Sequence, residues 1–161
     1  MPATLRHDWE PFLHLESDTE KRRQIELYLD RGLGSCILRH HEAATIVQET
    51  LLKFDPERYR LLEWIIMPNH VHVLIEMGST HSLSQVMHSW KSYTATMINR
   101  ALGTSGTVWQ ADYFDRYIRD QRHFEAVVEY IRNNAVKAEL VLKPEDWICS
   151  SAHWRSILLG E

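Results

Sequence analysis

Residues 59–77 read YRLLEWIIMPNHVHVLIEM and contain two apolar runs on either side of Pro68-Asn69. Both runs are rich in Ile, Val, Leu and Trp, residue types that favour strands. Pro68-Asn69 is typical of a tight turn, so the sequence predicts two antiparallel strands over residues 59–67 and 70–77. A small antiparallel sheet is therefore expected here.

Helical patterns flank this hairpin. Apolar residues at helical spacing predict a helix from about residue 41 to 54, which Asp55-Pro56 ends. Ser82 and Gln85 form a capping-box pattern at the start of a second, long amphipathic helix. Asp120 can cap a further helix to about Asn134, and residues 108–118 before it are expected to form an extended strand.

The order of these elements predicts an α+β fold, in which helices pack on a small antiparallel sheet. A ferredoxin-like arrangement needs one more strand before the first of these helices. Residues 12–15 are a poor candidate for it, so this first strand is expected to be weak or missing. A capping-box pattern at Ser17 predicts a helix over residues 18–31.

The composition indicates one soluble globular domain over residues 1–161. Apolar residues make up 44% and charged residues 25% of the chain, which argues against wholesale disorder. Two cysteines exclude a disulfide scaffold, and the sequence shows neither a membrane span nor a secretion signal. We therefore expect a cytoplasmic protein without a membrane partner. The sequence does not decide whether the protein is a monomer or a homodimer.

The net charge of −4 argues by itself against a nucleic-acid partner, but the charge is unevenly distributed. Residues 88–143 carry eight Lys and Arg against six Asp and Glu. A mildly basic block therefore lies inside an acidic chain. Basic side chains that converge on one face could still bind a polyanion.

His70 and His72 are the first candidates for chemistry. Side chains alternate along a strand, so both imidazoles should point to one face and Val71 and Val73 to the other. Two neutral imidazoles on one face can hold a divalent ion. The alternative is that both are half-buried, hydrogen-bonded strand histidines.

Tyr130 and Asn134 are the second pair. They are four residues apart on a predicted helix and therefore share a face, beside its apolar stripe. A site between helix and sheet would form at such a border. The alternative is an amphipathic tyrosine at the boundary of the core.

Several ordered blocks resemble one known family, the REP-associated tyrosine transposases, single-domain relatives of the HUH insertion-sequence transposases. Together the blocks span about residues 26–152, most of the chain, whereas residues 1–25 match poorly. Members usually begin with a strongly apolar strand, and they usually carry Asn-Pro where this chain has Asn134-Ala135. The matching blocks are RLLEWIIMPNHVHVLI (60–75), SWKSYTA (89–95), VWQADYFDRYIRD (108–120), VEYIRNN (128–134), VKA (136–138), PEDW (144–147) and SS (150–151).

The resemblance implies a ferredoxin-like HUH domain that acts on single-stranded DNA near a hairpin. Tyr130 matches the catalytic tyrosine, which attacks a phosphodiester and leaves a 5′-phosphotyrosine and a free 3′-hydroxyl. His70 and His72 match the histidines of the HUH motif, and Asn134 matches the position that completes the metal site. The implied metal is Mg²⁺ or Mn²⁺.

Nearby side chains have supporting roles in this hypothesis. Trp109, Tyr113 and Tyr93 could stack on unpaired bases, although core packing is the alternative. Basic side chains could contact phosphates, although a solvated helix face is the alternative. These basic residues are Lys91, Arg116, Arg119, Arg132 and Lys137.

Two carboxylates, Glu63 and Glu76, could support the histidines, or could simply be exposed. Gln110 and Asp112 could read base edges. Two other functions remain open at this stage. One is a domesticated module that binds DNA hairpins without cutting them, and the other is a small zinc-binding protein.

Overall fold

The computed structural model describes residues 34–111, 113 and 115–160. It contains a two-stranded antiparallel sheet, β1 (Tyr59–Ile66) and β2 (Val71–Met77). The predicted hairpin is confirmed, and the Met67 amide donates to the His70 carbonyl across the turn (2.8 Å). The candidate strand over residues 12–15, the helix over 18–31 and Asp112 lie outside the described residues.

Five α-helices are described in this part of the chain. They are α1 (His41–Lys53), α2 (Leu83–Leu102), α3 (Gln121–Arg132), α4 (Asn134–Lys137) and α5 (Ser151–Leu159), with 3-10 turns at Ile37–Arg39 and Pro144–Asp146. The Ser82–Gln85 capping box and the Asp120 cap form as predicted. The α+β prediction is thus confirmed.

Two predictions about elements are wrong. The described part of residues 108–118 forms no strand, because its backbone is held by side chains of α2 rather than by a neighbouring strand. The predicted helix up to Asn134 breaks at Asn133, where α3 ends and the short α4 begins. Tyr130 therefore lies in α3, and Asn134 is the first residue of α4.

The hairpin separates two apolar clusters. One face packs on α1 and α2, with Trp64, Val71 and Val73 in that cluster. The other face packs on α3, with Ile65 and Leu74 beside the apolar residues of that helix. The predicted alternation of β2 is confirmed, since Val71, Val73, Ile75 and Met77 contact the first cluster, whereas Leu74 belongs to the second and His72 contacts Tyr130.

A bulge in β1 shifts its alternation. Leu61 pairs with Ile75 and Glu63 pairs with Leu74, so Leu62 is an extra residue. Because of this shift, Leu61 and Trp64 both face α1 and α2 although they are three residues apart. Glu63 is left on the α3 face, where it is buried.

Among the described residues, none of the helices has both the length and the apolar character that a membrane span needs.

Candidate active site

The two histidines lie where the hairpin turns into β2. His70 directly precedes the strand and is buried, and His72 lies within it opposite Ile65. Their ring centroids are 4.7 Å apart at an interplanar angle of 77°. The prediction that both rings share one face of the hairpin agrees with this geometry.

Tyr130 packs against this pair from α3. Its ring centroid lies 5.2 Å from that of His72. Asn134, four residues later, is buried. The apolar residues of α3 pack on the sheet and fix the position of the helix. Tyr130 lies at the edge of this apolar contact, where its ring meets His72.

Three acceptor atoms in this site are buried and make no hydrogen bond of standard geometry among the described residues, although the Asn134 side chain interacts with His70. These atoms are Nε2 of His70, Nε2 of His72 and Oδ1 of Asn134. Unpaired buried polar atoms destabilise a fold by about 1–3 kcal/mol each, so a cluster of three needs an explanation. Two imidazole nitrogens and an amide oxygen are suitable ligands for a divalent cation.

Burial keeps both imidazoles neutral. It lowers the pKa of His70 to about 3, with a further lowering by His72 and an opposing effect of the Asn134 side chain. Burial also lowers the pKa of His72 to about 4. Neutral imidazoles keep the lone pair that a metal ligand must offer.

Asn69 orients His70, a contact that the sequence analysis missed. Its Oδ1 lies 2.7 Å from Nδ1 of His70. Because a carboxamide oxygen only accepts, Nδ1 carries the proton and Nε2 keeps its lone pair for the site. The only signal in the sequence was a polar residue next to His70 in the turn.

The predicted phosphate contacts lie in different surroundings. Arg116 and Arg119 are exposed in the segment before α3. The Lys137 ammonium lies 5.0 Å from the ring centroid of Tyr130. Lys91 donates to the carbonyls of Gln110 and Ala111, so it holds the chain.

Arg132 binds a buried carboxylate. Its Nε and Nη2 donate to Oε1 of Glu63 (3.2 and 2.6 Å). Arg155 of α5 also donates to this carboxylate, and the Ser151 hydroxyl donates to Oε2. Glu63 therefore connects β1 with α3 and α5, whereas Glu76 is exposed and pairs with Arg60.

The aromatic candidates also differ. Trp109 is partly buried and donates to Oγ1 of Thr94 (2.8 Å), so it packs on α2. Tyr113 and Tyr93 are both partly exposed. A cluster of three or more His, Cys, Asp or Glu side chains that could hold a metal is absent from the described part of the chain.

A family model described as IS200-like transposase matches residues 39–134, which is more than half of the chain. The chain belongs to the IS200-like transposase family. The match ends at Asn134, and it includes His70, His72 and Tyr130. The residues that meet around β2 and α3 in this family member therefore all lie in its matched part.

Two curated relatives support this membership. One is the REP-associated tyrosine transposase of Escherichia coli (strain K12), 24% identical over 67% of this chain and 64% of the relative. The other is an uncharacterized protein of Haemophilus influenzae (strain ATCC 51907 / DSM 11121 / KW20 / Rd), 26% identical over 55% of this chain and 60% of the relative. The chain thus spans less than two thirds of their lengths.

A solved structure shares the fold. It is that of a REP-associated tyrosine transposase bound to a REP hairpin, with a TM-score of 0.58 and 23% identity. The similarity covers 71% of this chain and 67% of the solved one. The resemblance noted from the sequence blocks is thus confirmed.

Proposed function

We propose that this family member cleaves and rejoins single-stranded DNA near a hairpin, through a 5′-phosphotyrosine at Tyr130. The observation that carries the proposal is the contact between the Tyr130 ring and His72, beside the three buried acceptor atoms of this site. A nucleophile and a cation site then adjoin each other. The proposed substrate class follows from the solved relative, which is bound to a REP hairpin.

A divalent ion, Mg²⁺ or Mn²⁺, fits the donor set of His70, His72 and Asn134. Two imidazole nitrogens favour Mn²⁺ more than a site built from oxygen alone would. When bound, such an ion polarises a phosphate and offsets the charge that develops in the transition state. The hydrogen bond from His70 to Asn69 fixes the tautomer that this role requires.

The chemical step conserves the phosphodiester. The Tyr130 oxygen bonds to the scissile phosphorus while the bond from phosphorus to the 3′-oxygen breaks. The phenol loses its proton to solvent, and the departing 3′-oxygen takes up a proton. Because the phosphate stays activated as an ester of tyrosine, attack by a 3′-hydroxyl can rejoin strands without another energy source.

Three exposed or nearby basic side chains support this step in the proposal. Lys137 lies beside the Tyr130 ring, and Arg116 and Arg119 are exposed in the segment that leads into α3. In this proposal, these cations contact phosphates of the bound strand. Arg132 contributes differently, because its ion pair with Glu63 ties the helix that carries the nucleophile to the sheet.

The test is the formation of a covalent adduct. The full chain is incubated with a REP hairpin that carries a single-stranded tail, in Mn²⁺, and is run on a denaturing gel. We expect a shifted protein–DNA band that EDTA abolishes and that Tyr130→Phe fails to form. A band that persists in Tyr130→Phe would contradict the assignment of the nucleophile.

The second candidate function is a hairpin-binding module without cleavage. It is favoured by the burial of the Tyr130 oxygen, because a phosphate can reach this atom only after α3 or a side chain moves. In that case the wild-type chain binds the hairpin but forms no adduct in Mg²⁺ or Mn²⁺. A Tyr130→Ala variant would then bind DNA as well as the wild type.

A further inference from the structure

A groove of about 400 Å³ lies on the opposite side of the hairpin from Tyr130. One wall is α2, which packs on the face of the sheet that carries Val73. The other wall is formed by residues 106–111 together with Tyr113. Since Tyr130 packs with the other apolar cluster, this groove is separate from the site described above.

Specific hydrogen bonds hold the second wall although it forms no strand. The Lys91 ammonium donates to the carbonyls of Gln110 (2.8 Å) and Ala111 (3.1 Å). The indole of Trp109 donates to Thr94, and the Asn99 carboxamide donates to the carbonyl of Gly106 (2.9 Å). Three side chains of α2 therefore hold the loop that forms this wall of the groove.

The lining combines the groups that an unpaired nucleotide needs. Tyr113 is 37% exposed, and the Lys91 ammonium lies 5.4 Å from its ring centroid. The polar side chains of His88, Ser92 and Gln110 also line the groove. An aromatic surface binds the face of a base, and polar side chains can hydrogen-bond to base edges. The Lys91 ammonium holds the loop through two carbonyls, and its charge also adds positive potential for a nearby phosphate.

An exposed stretch of chain with two arginines and two aspartates joins this groove to the helix that carries Tyr130. Residues 115–120 are exposed, carry Arg116 and Arg119, and lead directly into α3. From Tyr113 to the start of α3 the chain can span at most about 25–30 Å. Single-stranded DNA that contacts these two arginines would therefore lie within reach of the groove.

We propose that this groove binds an unpaired base of the single strand outside the hairpin, with Tyr113 stacking on the base. The inference rests on the proposed function, because it takes DNA as the substrate. It adds a subsite that grips the strand away from the scissile phosphate. The volume suits one base with its phosphate rather than a paired duplex.

The test measures binding without cleavage. Fluorescence anisotropy in EDTA compares a hairpin that carries a single-stranded tail with the same hairpin ended blunt. We expect Tyr113→Ala to weaken binding of the tailed hairpin by roughly 5- to 100-fold and to leave the blunt hairpin unchanged. The thermal unfolding midpoint should not change, because Tyr113 is partly exposed.

Tyr93 offers a matched control. It is 47% exposed, the Lys53 ammonium lies 5.8 Å from its ring centroid, and it lies outside this groove. Tyr93→Ala should change the affinity for the tailed hairpin by less than twofold. Equal weakening by both variants, or none by Tyr113→Ala, would overturn the proposal.

A photocrosslink locates the base directly. With 5-iodouracil in the tail, irradiation should attach the DNA to Tyr113 or Trp109, as mass spectrometry of the peptides would show. Crosslinks only at other residues would overturn the groove as the site. Neither the binding measurement nor the crosslink needs cleavage. A negative result for the groove therefore leaves the assignment of Tyr130 to be decided by the adduct experiment, and a failed adduct experiment leaves the groove to be decided by these two measurements.

Discussion

Asn69 determines which nitrogen His70 presents to the site. Its carboxamide oxygen fixes the proton on Nδ1, so the buried Nε2 keeps its lone pair. At the scale of single residues, the candidate site thus depends on one polar neighbour in the turn. Such outer contacts commonly change metal affinity by about 10- to 100-fold.

Asn69→Ala should therefore weaken Mn²⁺ binding by about 10- to 100-fold, as isothermal titration would measure. Asn69→Asp is the matched control, because its carboxylate still accepts from Nδ1 and should keep the affinity close to that of the wild type. Unchanged Mn²⁺ affinity in Asn69→Ala would contradict the role given to this side chain.

The buried histidines make the metal-free protein sensitive to acid. The pKa is about 3 for His70 and about 4 for His72 in the fold, against about 6.5 in an unfolded chain. The unfolded chain therefore binds more protons below pH 6.5, so stability is fully present above that pH and is lost as the pH falls towards 4. The expected slope is roughly 1 kcal/mol per pH unit for each histidine.

Urea unfolding in EDTA at pH 7.5, 6.5 and 5.5 would measure this slope. His72→Phe should reduce it, since one of the two buried imidazoles is removed while the ring contact with Tyr130 is kept. His41→Gln, at an exposed position, should leave it unchanged. A stability that stays flat from pH 6.5 to 5.5 would show that the histidines are solvated in the fold.

Some of these residues could be predicted from the sequence and others could not. Alternation along a strand predicted that the two histidines share a face. The four-residue spacing predicted that Tyr130 and Asn134 share a face of one helix, but that helix ends at Arg132 and Asn134 begins the next. The hydrogen bond from His70 to Asn69 depends on the geometry of the turn, which no periodicity describes. The ion pair of Arg132 was missed because its partner, Glu63, is 69 residues away.

At the scale of elements, Glu63 links three of them. The bulge in β1 turns this carboxylate towards α3 and α5, where two guanidinium groups and the Ser151 hydroxyl bind it. Glu63 is 3% exposed, so the partners compensate a charge that would otherwise be costly to bury. The cluster holds α3, and with it Tyr130, against the sheet.

Glu63→Ala should lower the free energy of unfolding by about 3 kcal/mol, because it leaves two arginines without their shared partner. Glu76→Ala is the matched control: its ion pair with Arg60 is exposed, so the loss should stay below about 1 kcal/mol. Chemical denaturation of both variants would measure the difference. Equal losses would mean that Glu63 is not held as described.

Helix α5 and residues 108–118 show where prediction of elements fails. The sequence analysis predicted no helix after Asn134, whereas Ser150 caps α5 by accepting from the His153 amide (3.1 Å). Ser150 and Gly160 were available as start and stop signals for this helix. Residues 108–118 have a strand-like composition, but their hydrogen bonds go to α2 side chains, which local sequence cannot reveal.

At the scale of the whole molecule, charge distribution matters more than net charge. The chain carries −4, yet residues 88–143 are net positive and include Tyr130 and the exposed Arg116 and Arg119. The net charge alone therefore argued against a DNA partner, whereas the distribution of charge along the chain was compatible with one. The packing of two helical layers on opposite faces of one hairpin then places the proposed cleavage site and the groove on different sides.

Replacing both Arg116 and Arg119 by Gln should reduce the salt dependence of DNA binding. Each lost contact with a phosphate of a single strand lowers the slope of log K against log salt by about 0.7, so the pair should lower it by roughly 1 to 2. Arg60→Gln, at an exposed position paired with Glu76, should leave the slope unchanged. Anisotropy titrations from about 50 to 300 mM salt would measure this slope. Identical slopes for all variants would contradict the proposed DNA contacts.

The most direct test of the account is to find which residue carries the DNA after cleavage. Tryptic digestion of the covalent adduct should release the peptide HFEAVVEYIR, residues 123–132, in which Tyr130 is the one tyrosine. We predict that mass spectrometry finds the 5′-phosphonucleotide on this peptide, at Tyr130. A nucleotide on Tyr93, Tyr113 or Tyr117, with residues 123–132 unmodified, would contradict the account.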